Sequence, residues 1–360
     1  MNDLRWPARH TGRRAMLAGL AAAAPALGQN RPASAPPTSA PPTSAPPASA
    51  PPASAPPASR EGEVILGRDG WLFGAWEDVR SVDLRRTREL CRYLNSAIAI
   101  LRGEGLQVAL CVTPTKARVY QEFLPADFQP SADATARYGV LMEELSRGDT
   151  LMVDHAAQFA ALRRSSRDPL FFKADIHWTP AGGAAAATDL AKLIRDRARL
   201  PTPRRPGTRL GDHISMRYES NDLAGMLPPA QRTRFPFEQF RVRRITGAPQ
   251  GVGLIEEDGA DCVIAGNSFM QTGFGFPPML SNQLNRPVSL AVQVGRFGPY
   301  TTLLNYLKSD LFRNERPQLI VWHFLEGNME VMPDHTGYWG SSAMPARQFT
   351  DELRRLARRA

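Results

Sequence analysis

Leu106-Gln-Val-Ala-Leu-Cys-Val112 runs almost continuously apolar and passes into the loop Thr113-Pro-Thr-Lys116. A strand with one wet face alternates apolar and polar residues. A run without alternation is buried on both faces, as parallel strands between helical layers are. Asp261-Cys-Val-Ile-Ala265 and Gln318 to Leu325 have the same character, and Leu151-Met-Val-Asp154 and Val288 to Val294 add two further strand candidates. Amphipathic stretches alternate with them. Residues 78–102 carry Val82, Leu90, Leu94, Ile98 and Leu101 at helical spacing, and helices are expected over 134–147, 155–164, 181–197, 301–312 and 347–359. Val64-Ile-Leu66 followed by Gly67-Arg-Asp-Gly-Trp-Leu-Phe73 reads as strand, turn and strand. Alternating strands and helices over some 300 residues predict an α/β fold, an open parallel sheet flanked by helices. Residues 199–245, rich in Arg and Pro, are expected to be irregular, as an insertion or a lid.

Ligands of such sheets sit beyond the carboxyl ends of the strands. Two stretches there carry chemistry. Lys173-Ala-Asp-Ile-His-Trp-Thr179 places Asp175 two residues before His177, ahead of a helix start at Thr179-Pro180. In extended chain, residues two apart face one side, and a carboxylate beside an imidazole fixes its tautomer and steadies its protonated form. Gly266-Asn-Ser-Phe269 follows the buried strand 261–265 directly. A glycine there permits a tight turn, which would expose the Ser268 hydroxyl beside backbone N–H groups able to hold an oxyanion. A serine hydroxyl needs a base; His177 would supply it and Asp175 would orient it. Each stretch alone equally fits a structural turn, with Asp175 at a helix start beside a half-buried histidine. A metal site needs a third or fourth ligand, so no metal or cofactor is expected. Lys116 would suit an acidic sugar or simply stand in solvent. Tyr300 could line the site or belong to the core, and Trp178 could stack on sugar or pack beneath the His177 loop. His155, His213, His323 and His335 have no partner pattern and read as structural.

The chain has 360 residues, 42% hydrophobic and 22% charged, with a formal net charge of +9. Its arginines are scattered over helix-like faces and loops, and no nucleic-acid-binding motif accompanies them, so nucleic acid is not an expected partner. Cys91, Cys111 and Cys262 lie among apolar neighbours without metal spacing, as buried free thiols do. Residues 1–28 hold Arg13-Arg14 before a short apolar run, Leu17 to Leu27, the pattern of a twin-arginine export signal. Residues 29–59 repeat Ser-Ala-Pro-Pro-Thr/Ala. Proline favours polyproline II, so this is a spacer of roughly 90–100 Å at ~3.1 Å per residue. Residues 60–360 form the folded domain.

The ordered set Gly67–Phe73, Val112–Lys116 with Tyr120 and Leu124-Pro125, Asp175–Thr179 with Gly182, and Gly266–Phe269 resembles the alginate O-acetyltransferase family (AlgX/AlgJ type). That family runs acid, base, nucleophile along the chain. The resemblance implies an SGNH-hydrolase-like three-layer α/β/α domain with a mainly parallel central sheet. It implies Ser268 as acetyl-carrying nucleophile, His177 as base and acid, and Asp175 as its partner; Lys116, Trp178, Tyr300 and Asn267 are candidate substrate contacts on their residue types alone. It further implies a periplasmic location, a membrane-bound O-acyltransferase as acetyl donor and an exported polysaccharide as acceptor. An acetyl esterase of the same fold, or a non-catalytic scaffold of an export complex, would use the same residues differently. Trp322-His-Phe-Leu-Glu-Gly-Asn328 departs from the family in lacking a Glu-Arg pair after its strand.

Overall fold

A computed structural model describes residues 63–77, 79–247, 260–295 and 297–358. The export signal and repeat spacer read from the sequence lie outside the described residues.

In chain order the strands are β1 (Val64–Leu66), β2 (Leu72–Gly74), β3 (Gln107–Thr113), β4 (Leu151–Met152), β5 (Arg209–Arg217), β6 (Gln239–Gly247), β7 (Cys262–Gly266), β8 (Val288–Val292) and β9 (Leu319–Leu325). Five of them form one sheet in the order β4-β3-β9-β7-β8, with every neighbouring pair parallel. The unbroken apolar runs are explained by what covers the two faces. Val108, Leu110 and Val112 point into a core shared with the helices Leu84–Gly103, Ala132–Ser146, Gly298–Lys308 and Ala346–Ala357. Ala109 and Cys111 point the other way, into a core built with helices Pro180–Arg197 and Phe276–Leu284. The architecture is the expected three layers. All three cysteines are buried free thiols. Among the described residues no helix is long and apolar enough to cross a membrane.

Several boundaries differ from the sequence reading. The first long helix starts at Leu84, because the Asp83 side chain accepts from the N–H groups of Arg85 and Arg86 and caps it. Strand β4 is only two residues long; Asp154, expected within it, instead caps the next helix through the Ala157 N–H. The expected helix 301–312 is two helices, Gly298–Lys308 and Asp310–Asn314, separated by Ser309, which caps the second.

The larger correction concerns residues 199–245. Residues 199–208 are irregular as expected, but Arg209–Arg217 and Gln239–Gly247 are not: β5 and β6 pair antiparallel, with Ile214 opposite Val242 and Met216 opposite Phe240. Phe240, Val242 and Met216 pack on the core while Ser215, Arg217, Arg241 and Arg243 occupy the opposite face. The period-2 alternation is short, because Arg243-Arg244 breaks it in β6 and register shifts interrupt the pairing near Leu210 in β5. Helix Asp222–Met226 lies between the two strands.

Candidate active site

The serine loop is placed by the sheet. Strand β7 lies between β9 and the edge strand β8, and Gly266 is its last residue, opposite Val292 of β8. A Cβ on Gly266 would lie 2.8 Å from Met270 Cγ and 3.0 Å from His323 Cβ, so a side chain has no room there. The chain then turns into a 3₁₀ turn, Ser268–Met270, capped by Asn267, whose side-chain oxygen accepts from the Phe269 N–H. Ser268 is thus held at the carboxyl edge of the sheet, at the start of a helical turn whose first N–H groups have no partner within the turn.

The histidine loop does not lie in extended chain. Residues 170–179 form a tight loop closed by an isolated bridge between Phe171 and Trp178. Asp175 Oδ1 accepts from the His177 backbone N–H at 2.9 Å, an Asx-type turn, and also from His177 Nδ1 at 2.6 Å. The two side chains are therefore brought together by a bend rather than by strand alternation. Thr179 caps helix Pro180–Arg197, and Pro180 occupies its first turn.

The two loops meet at the imidazole. His177 Nε2 is 2.8 Å from Ser268 Oγ, 91 residues away in the chain. Phe274 stacks on the ring at 4.5 Å and 12°, and Phe269 lies at 4.8 Å. Trp178 Nε1 donates to the Phe269 carbonyl and locks one loop to the other. Asp175 and His177 are both fully buried. Burial alone would raise the Asp175 carboxyl, but the facing imidazole, its hydrogen bond and the N–H donors of Asp222 and His177 hold it down at about 2. A hydroxyl, an imidazole and an ionised carboxylate in one hydrogen-bonded row can pass a proton from the first to the second while the third steadies the charge.

Other sequence candidates fall elsewhere. Lys116 does not face solvent or a substrate: it is buried, and its ammonium donates to the carbonyls of Lys173 and Asp175, each at 2.8 Å. Burial pushes it down to about 8, against the opposing pull of Glu77, Asp175 and Glu238. Trp178 is fully buried in the core beneath the histidine loop and offers no sugar face. Tyr300 lies across the sheet, in the core with Trp322, Phe324 and Phe349, its hydroxyl donating to the Val331 carbonyl. Asn267 stays beside Ser268 as the turn's cap. His155 is buried with Gln158 and Cys111, and His323 with Thr113; His335 accepts from the Tyr338 N–H.

The sequence reading passed over the acids that brace the loops. Glu326, just after β9, is fully buried between Arg118 and Arg137 and accepts from the Thr115 N–H. Burial opposes its ionisation, yet the two guanidiniums hold its carboxyl below the usual range. The missing Glu-Arg pair is replaced by arginines from two other segments. Glu238 accepts from the N–H groups of Lys173 and Ala174, and Asp222 donates its N–H to Asp175 Oδ2 at 2.8 Å. Both come from the insertion, and nothing in their local sequence marks them. Among the described residues, Asp175, His177 and Asp222 are the group that offers a cation its ligand atoms, all within 4.8 Å of one another. The 2.6 Å approach of Nδ1 to Oδ1 is instead a hydrogen bond.

Residues 64–326 match the family described as SGNH hydrolase-like domain, acetyltransferase AlgX. The chain belongs to this family. Among its relatives, the probable alginate O-acetylase AlgJ of Pseudomonas putida is 26% identical over 309 residues, covering 81% of this chain and 77% of that protein. The solved O-acetyltransferase domain of Pseudomonas putida AlgJ superposes with a TM-score of 0.62 at 26% identity, covering 80% of this chain and 98% of that one. The structure of Pseudomonas aeruginosa AlgX, at 18% identity and a TM-score of 0.56 over 81% of this chain and 66% of that one, shares the fold.

Proposed function

We propose that this protein is a periplasmic O-acetyltransferase that places acetyl groups on hydroxyls of an exported, alginate-like polysaccharide through an acyl-serine intermediate. The observation that carries this reading is the hydrogen-bonded row Asp175–His177–Ser268, with spacings of 2.6 and 2.8 Å. Family membership supports acetyl transfer, and the names of the alginate-acetylating relatives support the acceptor.

In the first half-reaction His177 Nε2 takes the Ser268 proton as Oγ attacks the acetyl carbonyl carbon. The resulting oxyanion forms beside the Ser268 backbone N–H, at the start of the 3₁₀ turn. The bond to the donor breaks, and the imidazolium returns the proton to the departing group. In the second half, a sugar hydroxyl gives its proton to Nε2 and attacks the acetyl carbon. The ester moves to the sugar and Ser268 Oγ recovers the proton. Asp175 holds Nδ1–H throughout and stabilises the imidazolium. A membrane-bound O-acyltransferase would supply the acetyl group, in keeping with the export signal and spacer read in residues 1–59.

The test is acetyl transfer from a chromogenic acetyl ester to defined oligosaccharides, with Ser268→Ala alongside the wild type. The expected result is a release burst and acetylated sugar from the wild type and neither from the variant. Activity retained in Ser268→Ala removes the nucleophile assignment. Free acetate with no acetylated sugar makes water the acceptor, as in the esterase alternative.

A further inference from the structure

A second carboxylate faces the same edge of the imidazole as Asp175. Asp222 Oδ2 lies 3.7 Å from His177 Nδ1, while Asp175 Oδ1 lies at 2.6 Å. Asp222 comes from helix Asp222–Met226, inside the insertion between β5 and β6. Three contacts fix its position. Its backbone N–H donates to Asp175 Oδ2 at 2.8 Å, the Ala224 N–H donates to the Ala174 carbonyl at 3.1 Å, and Ser220 Oγ donates to Asp222 Oδ1 at 3.1 Å. With Oδ1 taken by Ser220, Oδ2 is the oxygen turned to the ring.

We propose that Asp222 is a positioning residue of the acetyl-transfer reaction, a second anion that stabilises the His177 imidazolium formed when Ser268 gives up its proton. The inference rests on the acyl-serine reading above. A 3.7 Å gap is too long for the Nδ1 proton, which Asp175 holds, but well within the range at which unlike charges favour each other's ionised forms. The His177 and Asp175 side chains are fully buried, and Asp222 keeps 18% exposure, at an open cavity of about 620 Å³ that it lines with Asn221, Arg232 and Phe235. The low-dielectric surroundings on the ring side strengthen the field there.

Among the described residues, charged and titratable groups approach the ring from several elements. Asp175 comes from its own loop, Asp222 from the insertion helix and Ser268 from the turn after β7. Lys116, from helix Lys116–Val119, meets the Asp175 carbonyl, and Glu238, from the residue before β6, holds the N–H groups of Lys173 and Ala174. Lys116 and Glu238 carry opposite charges and meet backbone groups of the loop, whereas Asp175 and Asp222 set their carboxylate oxygens 2.6 and 3.7 Å from the ring nitrogen itself. The hairpin insertion therefore takes part in the chemistry by supplying the second negative charge.

Asp222→Asn tests this, because the substitution removes the charge and leaves the backbone donor to Asp175 in place. The measurement is the pH profile of acyl-serine formation from the chromogenic ester, with Asp222→Ala and Ser268→Ala alongside. The expected result for Asp222→Asn and Asp222→Ala is a fall of roughly tenfold in kcat with KM little changed. The acid limb should move down by about one pH unit, since an imidazole that loses an anionic neighbour is harder to protonate. A purely structural Asp222 would lower activity without moving the limb. An unmoved limb in both variants overturns the proposal, and so does failure of both to fold, which would make Asp222 structural. If Ser268→Ala still forms the acyl-enzyme, the functional reading fails first. If Ser268→Ala is silent and the limb stays in place, this inference alone fails.

Discussion

Replacing Lys116 by methionine separates a substrate-binding lysine from a buried brace. The ammonium donates to two carbonyls at 2.8 Å and lies 5.6 Å from the Trp71 ring and 5.5 Å from the Phe73 ring. It also faces Glu77, a half-buried acid pushed up to about 7, chiefly by desolvation. Methionine keeps the length of the side chain and removes the charge and the donors. Two buried carbonyls lose charged donors and Glu77 loses its counter-charge, a change that costs about 3–5 kcal/mol in buried pairs. Against a domain stability of about 5–15 kcal/mol this is large. The urea midpoint should fall by about 1–2 M for a slope near 3 kcal/mol/M. The pH dependence adds a second reading of the same event. A carboxyl raised in the folded state contributes stability that is fully present below its unfolded value of 4.5 and is lost as pH rises through about 7. The deficit of Lys116→Met should therefore be smaller at pH 5 than at pH 7.5. The double variant with Glu77→Gln should lose less than the two single losses combined. An unchanged urea midpoint together with a salt-sensitive rise in KM would refute the brace and restore the substrate contact.

Two further outcomes follow from the site's geometry. Asp175→Asn should reduce kcat by about 10³–10⁴-fold, because an amide cannot hold the Nδ1–H tautomer as a carboxylate does; single-turnover acylation checks it, and a loss under tenfold would count against the assigned role. Gly183→Ala should destabilise the domain by about 1–3 kcal/mol and slow acylation. Its Cβ would lie 2.0 Å from the Phe274 carbonyl, and moving that segment shifts the ring stacked on His177; a thermal melt and rate equal to wild type would show the helix yields freely.

What could be read in the sequence was local. The unbroken apolar runs of β3, β7 and β9 gave the parallel sheet because both of its faces are covered, and such burial leaves a mark in consecutive residues. Asp175, His177 and Ser268 stood out because chain punctuation marks their loops: Thr179-Pro180 after one, Gly266-Asn267 before the other. The hairpin β5–β6 was hidden because its alternation is short, broken by Arg243-Arg244 and by register shifts near Leu210.

The sequence by itself determined the layered α/β scaffold and the residue types that can move a proton at its edge. It could not determine which polar residues meet them, because such contacts join segments far apart in the chain. Lys116 reaches Asp175 across 59 residues, Asp222 reaches Asp175 across 47, and Glu326 reaches its arginines across about 200. Only the tertiary structure turned Lys116 inward, sent Tyr300 to the opposite side of the sheet and set Asp222 beside the His177 ring. Local pattern records burial and turns, whereas charge placement depends on which loops the packed core brings together.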